Sequence, residues 1–423
     1  MSKTPKSIRG MHDVLPDDTP AWQRLETALR DTAAAFGYEE IRMPIVEQTA
    51  LFARSIGEVT DIVEKEMYTF DDRNGDSLTL RPEGTAGCVR ACLQHGIIHN
   101  QQRRLWYTGP MFRHERPQKG RYRQFHQVGV EALGSDSPVL DAEVIQTLLA
   151  LFDAVDARGL TLLLNSIGCP ACRPGFLASL GGYLAEHATE IPPAFQDRIT
   201  TNPLRLYDAK DEAVQTIMAG HAPITEHLCE DCRDHHAEVK ACLEDLEIAY
   251  EEDPTLVRGL DYYTRTTFEV TARSERKQSS LAGGGRYDGL IEQCGGPPTP
   301  GIGFSVGVER TLLHLADDPV DLQRSRQSVV DVYVACVGPD AERYALTGAD
   351  ILRDICRVEV DTSGRSLKAQ AKAANQRLAR VLLIAGDEEI EQKVFQLKQL
   401  DTGAQRAVAR DHILTAVREV LEQ

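Results

Sequence analysis

One short segment of the chain, residues 125–131, carries several side chains that could bind a small polar ligand. The segment has the composition of a β-strand, and side chains alternate between the two faces of a strand. One face therefore carries an aromatic ring, an amide, a glycine gap and a carboxylate, in the order Phe125, Gln127, Gly129 and Glu131. A half-solvated outer face is the alternative interpretation of this alternation.

A second candidate group lies in the segment Arg81-Pro-Glu-Gly-Thr85. Glu83 and Thr85 are two positions apart, so in an extended chain both side chains would point the same way. A carboxylate beside a hydroxyl suits the capture of an ammonium group. An ordinary Pro-Glu-Gly turn is the alternative interpretation of the same residues.

Glycine-rich stretches occur in the chain, but none matches a phosphate-binding loop. Residues 283–289 depart from the dinucleotide fingerprint, and no Walker-type loop ending in Lys-Ser or Lys-Thr occurs. If the chain binds ATP, arginine side chains must hold the phosphates, because their forked donors pair with phosphate oxygens. The candidates are Arg113, Arg258 and Arg310.

Four of the ten cysteines form two pairs with the spacing of zinc knuckles, Cys169-Pro-Ala-Cys172 and Cys229-Glu-Asp-Cys232. The gap between the pairs is far longer than the roughly 15–20 residues of a compact zinc ribbon. A structural zinc ion and a cluster of reduced thiols both stay open, and we assign no metal ligand from the sequence. Because no export signal is visible, we expect a cytoplasmic protein with reduced thiols.

Charge and hydropathy limit the partners of the chain. Among 423 residues, 47 are basic and 64 acidic, which leaves a net charge of −17 and opposes indiscriminate binding of nucleic acid. Two basic islands, residues 103–123 and 363–380, favour a specific polyanion docked in two places, with solvated faces as the alternative. No stretch resembles the roughly 20 apolar residues of a membrane span, so we expect no membrane partner.

The hydrophobic pattern predicts the elements that position these residues. A helix is expected at 18–36, followed by an edge strand at 39–46 that Pro44 interrupts. A hairpin at 105–134 turns at 117–120, and residues 165–250 form a helical insertion. Later strands are predicted at 256–270 and 301–308. After a polar boundary at 319–328, a smaller α/β unit is expected, with strands at 329–337, 358–361 and 381–385 and helices at 341–357, 367–379 and 411–421.

Several motifs resemble those of one enzyme family. FRHERPQKGRYRQFHQ at 112–127 and GIGFSVGVER at 301–310 resemble motifs 2 and 3 of class II aminoacyl-tRNA synthetases. The helix and strand at 18–44 look like motif 1. LVRGLDYYT at 256–264 and AGGGRYD at 282–288 are similar to two signatures peculiar to histidyl-tRNA synthetases. The resemblance extends over essentially the whole chain.

The resemblance implies an architecture and an activity. It implies an α+β fold with an antiparallel class II core at 1–325, an insertion domain at 165–250 and an α/β anticodon-binding domain at 326–423. A homodimer would form histidyl-adenylate from histidine and ATP with Mg²⁺, then transfer histidine to the 3′ end of histidine tRNA.

Two rival functions are disfavoured by residues of this chain. One is a catalytically inactive synthetase-like regulatory subunit of ATP phosphoribosyltransferase, which typically lacks the extra C-terminal domain and the full arginine set. The other is a class II synthetase for a different amino acid, against which Glu131 with Tyr262 and Tyr263 argues, because this set suits an imidazole ring.

The resemblance also assigns roles to individual residues. Glu83, Thr85 and Gln127 would hold the α-amino group of histidine. Glu131 and Tyr263 would contact the imidazole nitrogens, and Tyr262 and Tyr287 would line the same pocket. The catalytic pair would be Arg113 and Arg258, which bracket the α-phosphate. The remaining assignments are ATP-binding residues Glu115, Arg121, Phe125 and Arg310, and the tRNA acceptor-end contacts Arg116 and Gln118.

Overall fold

The structure is a computed structural model that describes residues 4–56, 60, 62–98, 101–207, 209, 211–257, 262–273, 278–316 and 330–422. The chain divides into two compact units, residues 1–321 and 322–423. The domain boundary predicted at 325/326 lies outside the described residues and stays a prediction. No helix in the described ranges is both long and apolar enough to cross a membrane.

The first unit contains a large sheet and a small one. Its strands are β1 (Glu39–Glu40), β2 (Val46–Gln48), β3 (Tyr68–Asp71), β4 (Ser77–Leu80), β5 (Arg103–Phe112), β6 (Gln124–Leu133), β7 (Leu160–Ser166), β8 (Glu251–Glu252), β9 (Thr264–Arg273), β10 (Gln278–Arg286) and β11 (Gly301–Gly307). Eight of them form one sheet in the order β1-β5-β6-β11-β10-β9-β7-β8, and β2, β4 and β3 form the other. The large sheet is antiparallel from β5 to β7, and each edge adds one parallel strand.

Helices flank the large sheet. They are α1 (Thr19–Ala35), α2 (Thr49–Ile56), α3 (Thr85–His95), α4 (Pro138–Ala154), α5 (Arg173–Glu186), α6 (Gln196–Thr201), α7 (Glu212–Ala219), α8 (Glu230–Asp245), α9 (Leu290–Gln293) and α10 (Val308–Ala316), with a π-helical turn at Ile62–Glu66. Leu29 of α1 and Leu148 of α4 pack against Val128 and Val130 of β6 in one hydrophobic core. The opposite face of β6 is left for the polar residues of the site.

Several predicted elements are confirmed in this unit. The helix predicted at 18–36 is α1, the hairpin at 105–134 is β5 with β6, and the insertion is largely helical. The strand predicted at 256–270 begins only at Thr264, and residues 258–261 lie outside the described part. The edge strand predicted at 39–46 is confirmed as two short edge strands, β1 and β2, with the expected interruption at Pro44. Pro44, which cannot donate a ladder hydrogen bond, separates β1 in the large sheet from β2 in the small one.

The second unit is a five-stranded sheet with helices. Its strands are β12 (Val332–Cys336), β13 (Val358–Val360), β14 (Val381–Ala385), β15 (Val394–Gln399) and β16 (Gln405–Ala409), in the order β13-β12-β14-β15-β16. Its helices are Ala341–Leu352, Leu367–Gln376, Asp387–Gln392 and Ile413–Leu421.

The predictions for this unit missed its last two strands and the helix before them. β16 carries only Val408 as a buried residue, so its pattern barely differs from that of a loop. The predicted α+β class, with an antiparallel core and a C-terminal α/β unit, is confirmed.

Candidate active site

A cavity of about 190 Å³ opens on the polar face of the large sheet. It brings together most of the predicted site residues, namely Glu83, Thr85, Arg113, Glu115, Arg121, Phe125, Gln127, Tyr262, Tyr263, Tyr287 and Arg310. Glu131 lies beneath the cavity wall rather than in it. Arg258 lies outside the described residues, so its predicted catalytic role stays a prediction.

Strand β6 presents the predicted alternation to this cavity. Phe125 and Gln127 line the wall, whereas Val128 and Val130 lie in the core on the other face. The expected open gap at Gly129 was wrong, because the ring of Tyr107 fills it. A Cβ at position 129 would lie 2.1 Å from the Cζ atom of Tyr107. Glycine is therefore required for the close approach of this ring, and the ring itself was missed by the sequence analysis.

Three hydroxyl groups surround the carboxyl group of Glu131. Thr85 Oγ1 donates to Glu131 Oε1 at 2.7 Å, Tyr107 donates to the same oxygen at 2.9 Å, and Tyr287 donates to Oε2. Burial raises the pKa of Glu131 to about 8, against the opposing effect of these donors. Because Thr85, Tyr107 and Tyr287 all line the cavity, the carboxyl group is one hydroxyl away from a ligand there.

Glu83 and Thr85 lie at the start of α3. The Glu83 carboxylate accepts hydrogen bonds from the backbone N–H groups of Thr85 and Ala86, at 2.6 and 2.9 Å. The condition of an extended chain is not met at Thr85, which is the first helical residue. Burial raises the pKa of Glu83, and the two N–H donors oppose that rise. The carboxyl group still faces the cavity, as ammonium binding requires.

Gln127 has an unused acceptor. Its Nε2 lies 3.4 Å from the Ser305 hydroxyl, but its buried Oε1 has no hydrogen-bond partner among the described residues. A buried acceptor without a partner is destabilising by about 1–3 kcal/mol. A ligand N–H group would relieve this penalty, so the position favours a ligand with donors.

Tyrosine rings enclose the same end of the cavity. Tyr262 packs against Tyr263 and Tyr287, with ring centroids 4.7 and 5.8 Å apart. Burial raises the pKa of Tyr262 and Tyr287 well above the ordinary value, so both remain hydrogen-bond donors. Gly301 makes room for Tyr287, because a Cβ there would lie 2.4 Å from its ring. This end suits a flat polar ring with N–H groups.

Arginines line the other end of the cavity. Arg310 donates to the carbonyls of Gly120 and Ser280, each at 3.0 Å, and Arg121 Nη1 lies 3.4 Å from Glu115. Burial lowers the pKa of Arg310, and the positive charge of Arg121 lowers it further. Like charges held in a partly buried wall favour a bound polyanion, which would neutralise them.

Arg113 lies between the two ends. Its Nε donates to the carbonyl of Pro82 at 2.8 Å, one residue before Glu83. Its guanidinium carbon lies 5.3 Å from the ring centroid of Phe125. Arg113 therefore touches elements of both the carboxylate-rich end and the cationic end.

Arg116 and Gln118 lie outside the cavity, in the connection between β5 and β6. Both are exposed. Gln118 and Arg121 exchange backbone hydrogen bonds of 3.1 and 2.9 Å, which close the turn. Both side chains are therefore accessible from outside the cavity and do not line it.

Comparison with known proteins identifies the family. A family model described as histidyl-tRNA synthetase matches residues 10–170 and 199–311, and an anticodon-binding domain matches residues 331–420. The chain belongs to the histidyl-tRNA synthetase family. A crystal structure of apo histidyl-tRNA synthetase from S. aureus is 35% identical and superimposes with a TM-score of 0.81, over 98% of this chain and 100% of that one.

Two more distant structures share the fold. A histidyl-tRNA synthetase from Nostoc sp. PCC 7120 is 19% identical with a TM-score of 0.69, over 98% of this chain and 99% of that one. A protein from Bacillus halodurans, titled an ATP phosphoribosyltransferase regulatory subunit/histidyl-tRNA synthetase, is 18% identical with a TM-score of 0.64, over 90% and 98%. The synthetase fold alone therefore does not separate the enzyme from a regulatory relative.

The signature AGGGRYD of the histidyl-tRNA synthetase family has a structural part that the sequence analysis missed. Arg286 and Asp141 are fully buried and form an ion pair, and Arg286 also donates to Ser135 O at 3.0 Å. His235 Nε2 lies 2.8 Å from Asp141 Oδ2. This network joins β10, α4 and α8 directly beside Tyr287. The sequence contained a signal for this network, because Arg286 immediately precedes the predicted site residue Tyr287 in the motif.

The two basic islands are not uniform surfaces. Arg104 in the first island pairs with Glu143 at 2.5 Å, while Arg113 and Arg121 face the cavity. Arg380 in the second island donates to the carbonyls of Val420 and Leu421 at the end of the last helix. Part of each island therefore stabilises the fold, and only the remainder is available to a polyanion.

Proposed function

We propose that this chain is a histidine–tRNA ligase that acts in the cytoplasm as a homodimer. It would convert histidine and ATP, bound as the magnesium complex, to histidyl-adenylate and pyrophosphate, then esterify the 3′ end of histidine tRNA. One observation carries the proposal: a single cavity joins a carboxylate- and tyrosine-rich end to an arginine-rich end.

The carboxylate-rich end matches the chemistry of histidine. The carboxylate of Glu83 and the unpartnered Oε1 of Gln127 would accept from the α-ammonium group. Tyr263 would pair with one imidazole nitrogen, and Glu131, which lies beneath the cavity wall, would act on the other through the hydroxyl group of Tyr107 or Tyr287. A hydroxyl group that accepts from an imidazole N–H must donate its own proton to Glu131, which favours the ionised carboxylate that burial opposes in the free chain. A wrong side chain would leave these buried groups unpaired, which provides selectivity.

The arginine-rich end matches ATP. Phe125 offers a ring to stack on adenine, and Arg121, Arg310 and Glu115 would hold the triphosphate and ribose region. Arg113 would neutralise the α-phosphate while a histidine carboxylate oxygen attacks phosphorus and pyrophosphate leaves. We propose Arg258 as its partner on the same phosphate. Such a reaction needs positioning and charge neutralisation but no protein nucleophile.

The tRNA would contact both units. The exposed Arg116 and Gln118 would meet the acceptor end at the cavity mouth. The match of residues 331–420 to an anticodon-binding domain supports a second contact. An amide can read base edges through one donor and one acceptor, and arginine pairs with guanine or phosphate.

A regulatory paralogue is the second candidate, because one structural relative carries that title. Arg113, Arg121 and Arg310 around one cavity favour the enzyme, since a protein that only senses histidine needs no triphosphate wall. The anticodon-binding match favours it as well.

ATP–pyrophosphate exchange with a panel of amino acids tests the proposal. We expect exchange with histidine and none with other amino acids, followed by aminoacylation of histidine tRNA. Calorimetric binding of histidine without any exchange would favour the regulatory paralogue, and exchange with another amino acid would contradict the substrate.

A further inference from the structure

Four cysteines converge where the insertion leaves the large sheet. Cys169 and Cys172 occupy the turn between β7 and α5, while Cys229 immediately precedes α8 and Cys232 lies in its first turn. Their Sγ atoms all lie within 4.8 Å of one another. Residues from two distant parts of the chain thus place four sulfur atoms around one point.

The sulfur separations match a tetrahedral metal centre. Cys169 Sγ lies 3.8 Å from Cys229 Sγ and 3.7 Å from Cys172 Sγ, and Cys172 Sγ lies 3.9 Å from Cys232 Sγ. Four Zn–S bonds of about 2.3 Å in a tetrahedron put the sulfur atoms about 3.8 Å apart. A disulfide would bring two sulfurs to about 2.05 Å. A multi-iron cluster would hold them farther apart, because iron and sulfide lie between them.

We propose that Cys169, Cys172, Cys229 and Cys232 bind one Zn²⁺ ion as four thiolates. Such a site is closed and structural, because protein ligands fill all four positions.

The backbone around the four cysteines would stabilise the negative charge of the thiolates. The Cys169 N–H group donates to Cys172 Sγ at 3.0 Å, which stabilises a thiolate. Helices α5 and α8 begin directly after Cys172 and Cys229, so their positive N-terminal ends face the anionic centre. Gly168 makes room for the turn, because it has φ +67 and a Cβ there would lie 2.5 Å from Cys172 Sγ.

The four-cysteine site also positions the tyrosine-rich end of the cavity, where histidine would bind. Arg173, the residue after Cys172, donates to the carbonyl of Tyr263 at 2.5 Å. Arg265 N donates to Gly168 O, and Ile167 N donates to Arg265 O, each at 2.8 Å. Two hydrogen-bonded connections thus run from the cysteine turn to the segment that carries Tyr263. This consequence, unlike the metal site itself, rests on the proposed function.

Metal analysis of the whole chain, purified without chelators, tests the site. We expect about one zinc per chain, loss of that zinc in Cys232→Ser, and its retention in Cys242→Ser, which removes a thiol of the same helix outside the cluster. Zinc content near zero, iron in place of zinc, or a disulfide between these cysteines would overturn the proposal.

A second measurement does not depend on a folded variant. Displacement of the metal from the wild-type chain should make four additional thiols reactive per chain. Replacement by Co²⁺ should give the intense visible absorption of a tetrahedral tetrathiolate centre. Four thiols that already react fully before any metal is removed would contradict the site.

The connection to Tyr263 predicts a selective kinetic effect. Metal-free chain should show a KM for histidine raised about tenfold or more in pyrophosphate exchange, with the KM for ATP little changed. Equal loss for both substrates would contradict the positioning role while leaving the metal site intact. Zinc in a chain that catalyses no exchange would refute the proposed function and not the site.

Discussion

The ring of Tyr107 occupies the space that a side chain at position 129 would need. Tyr107 and Gly129 are register partners on β5 and β6, and a Cβ on Gly129 would lie 2.1 Å from the Tyr107 Cζ atom. A Cβ on Gly84 would lie 2.1 Å from the same ring. From this position the Tyr107 hydroxyl reaches Glu131 at 2.9 Å. Two glycines therefore allow one ring to support the buried carboxyl group.

Gly129→Ala should disable the histidine end of the cavity. The added methyl group displaces Tyr107 from Glu131, so we expect the KM for histidine in pyrophosphate exchange to rise about tenfold. Overpacking should also lower the free energy of unfolding by about 1–3 kcal/mol. Gly181→Ala in α5 is the matched control, because a Cβ there meets no atom within 4 Å. Unchanged histidine kinetics in Gly129→Ala would show that the Tyr107 contact does not matter.

Glu131→Gln should remove a pH dependence of stability. The folded chain holds a proton on Glu131 up to about pH 8, whereas the unfolded chain loses it near the ordinary pKa of 4.5. This contribution is therefore fully present below about pH 4.5 and is lost as the pH rises through about 8. Between about pH 6 and pH 8, the free energy of unfolding of the wild type should fall by about 2 kcal/mol. The variant should not show this fall.

Urea unfolding at these two pH values measures the difference. Glu26→Gln, a change at an exposed position on α1, is the control and should follow the wild type. Parallel losses of stability in the wild type and Glu131→Gln would mean that Glu131 is already ionised in the folded chain. The same variant should lower kcat/KM for histidine, because a neutral amide weakens the charge-assisted hydrogen bond from the tyrosine hydroxyl group that would contact the imidazole.

Arg310→Lys should weaken ATP binding selectively. Lysine keeps the positive charge but cannot donate in two fixed directions to Gly120 O and Ser280 O while also facing a phosphate. We expect the KM for ATP to rise about tenfold with the KM for histidine unchanged. Arg158→Lys, at an exposed arginine paired with Asp156, should change neither value. A larger rise in the KM for histidine than in the KM for ATP would contradict the assignment of Arg310 to ATP binding.

Gln118→Ala should separate the two steps of the reaction. Because Gln118 is exposed at the turn between β5 and β6, we expect pyrophosphate exchange to stay near normal while aminoacylation falls. By the family resemblance, Arg116 and Gln118 would read the extra guanosine of histidine tRNA and the base opposite it. The penalty for a tRNA lacking that guanosine should then shrink by about 1–3 kcal/mol. If Gln118→Ala affects tRNAs with and without that guanosine equally, the loop contributes to general tRNA binding and does not read the guanosine.

Local patterns in the sequence determined a substantial part of this molecule. The alternation of Phe125, Gln127 and Glu131 follows from strand geometry alone, and it predicted which side chains share the site face. The periodicity of α1 predicted that helix to within a residue at each end. The motifs indicated the family, because each is a run of contiguous residues that can be recognised without three-dimensional information.

Tertiary structure decided how those residues meet. The spacing of the cysteine pairs indicated a possible common site, but only the tertiary structure brings Cys169 to Cys229. Tyr107 in the gap at Gly129 and the ion pair of Arg286 with Asp141 join positions far apart in the chain. Nothing in the spacing of either partner specifies the other, because close packing and burial act on distance in space and not along the sequence. For the same reason the raised pKa of Glu131 could not be predicted. It depends on the desolvation that α3, β5 and β11 together impose on one carboxyl group.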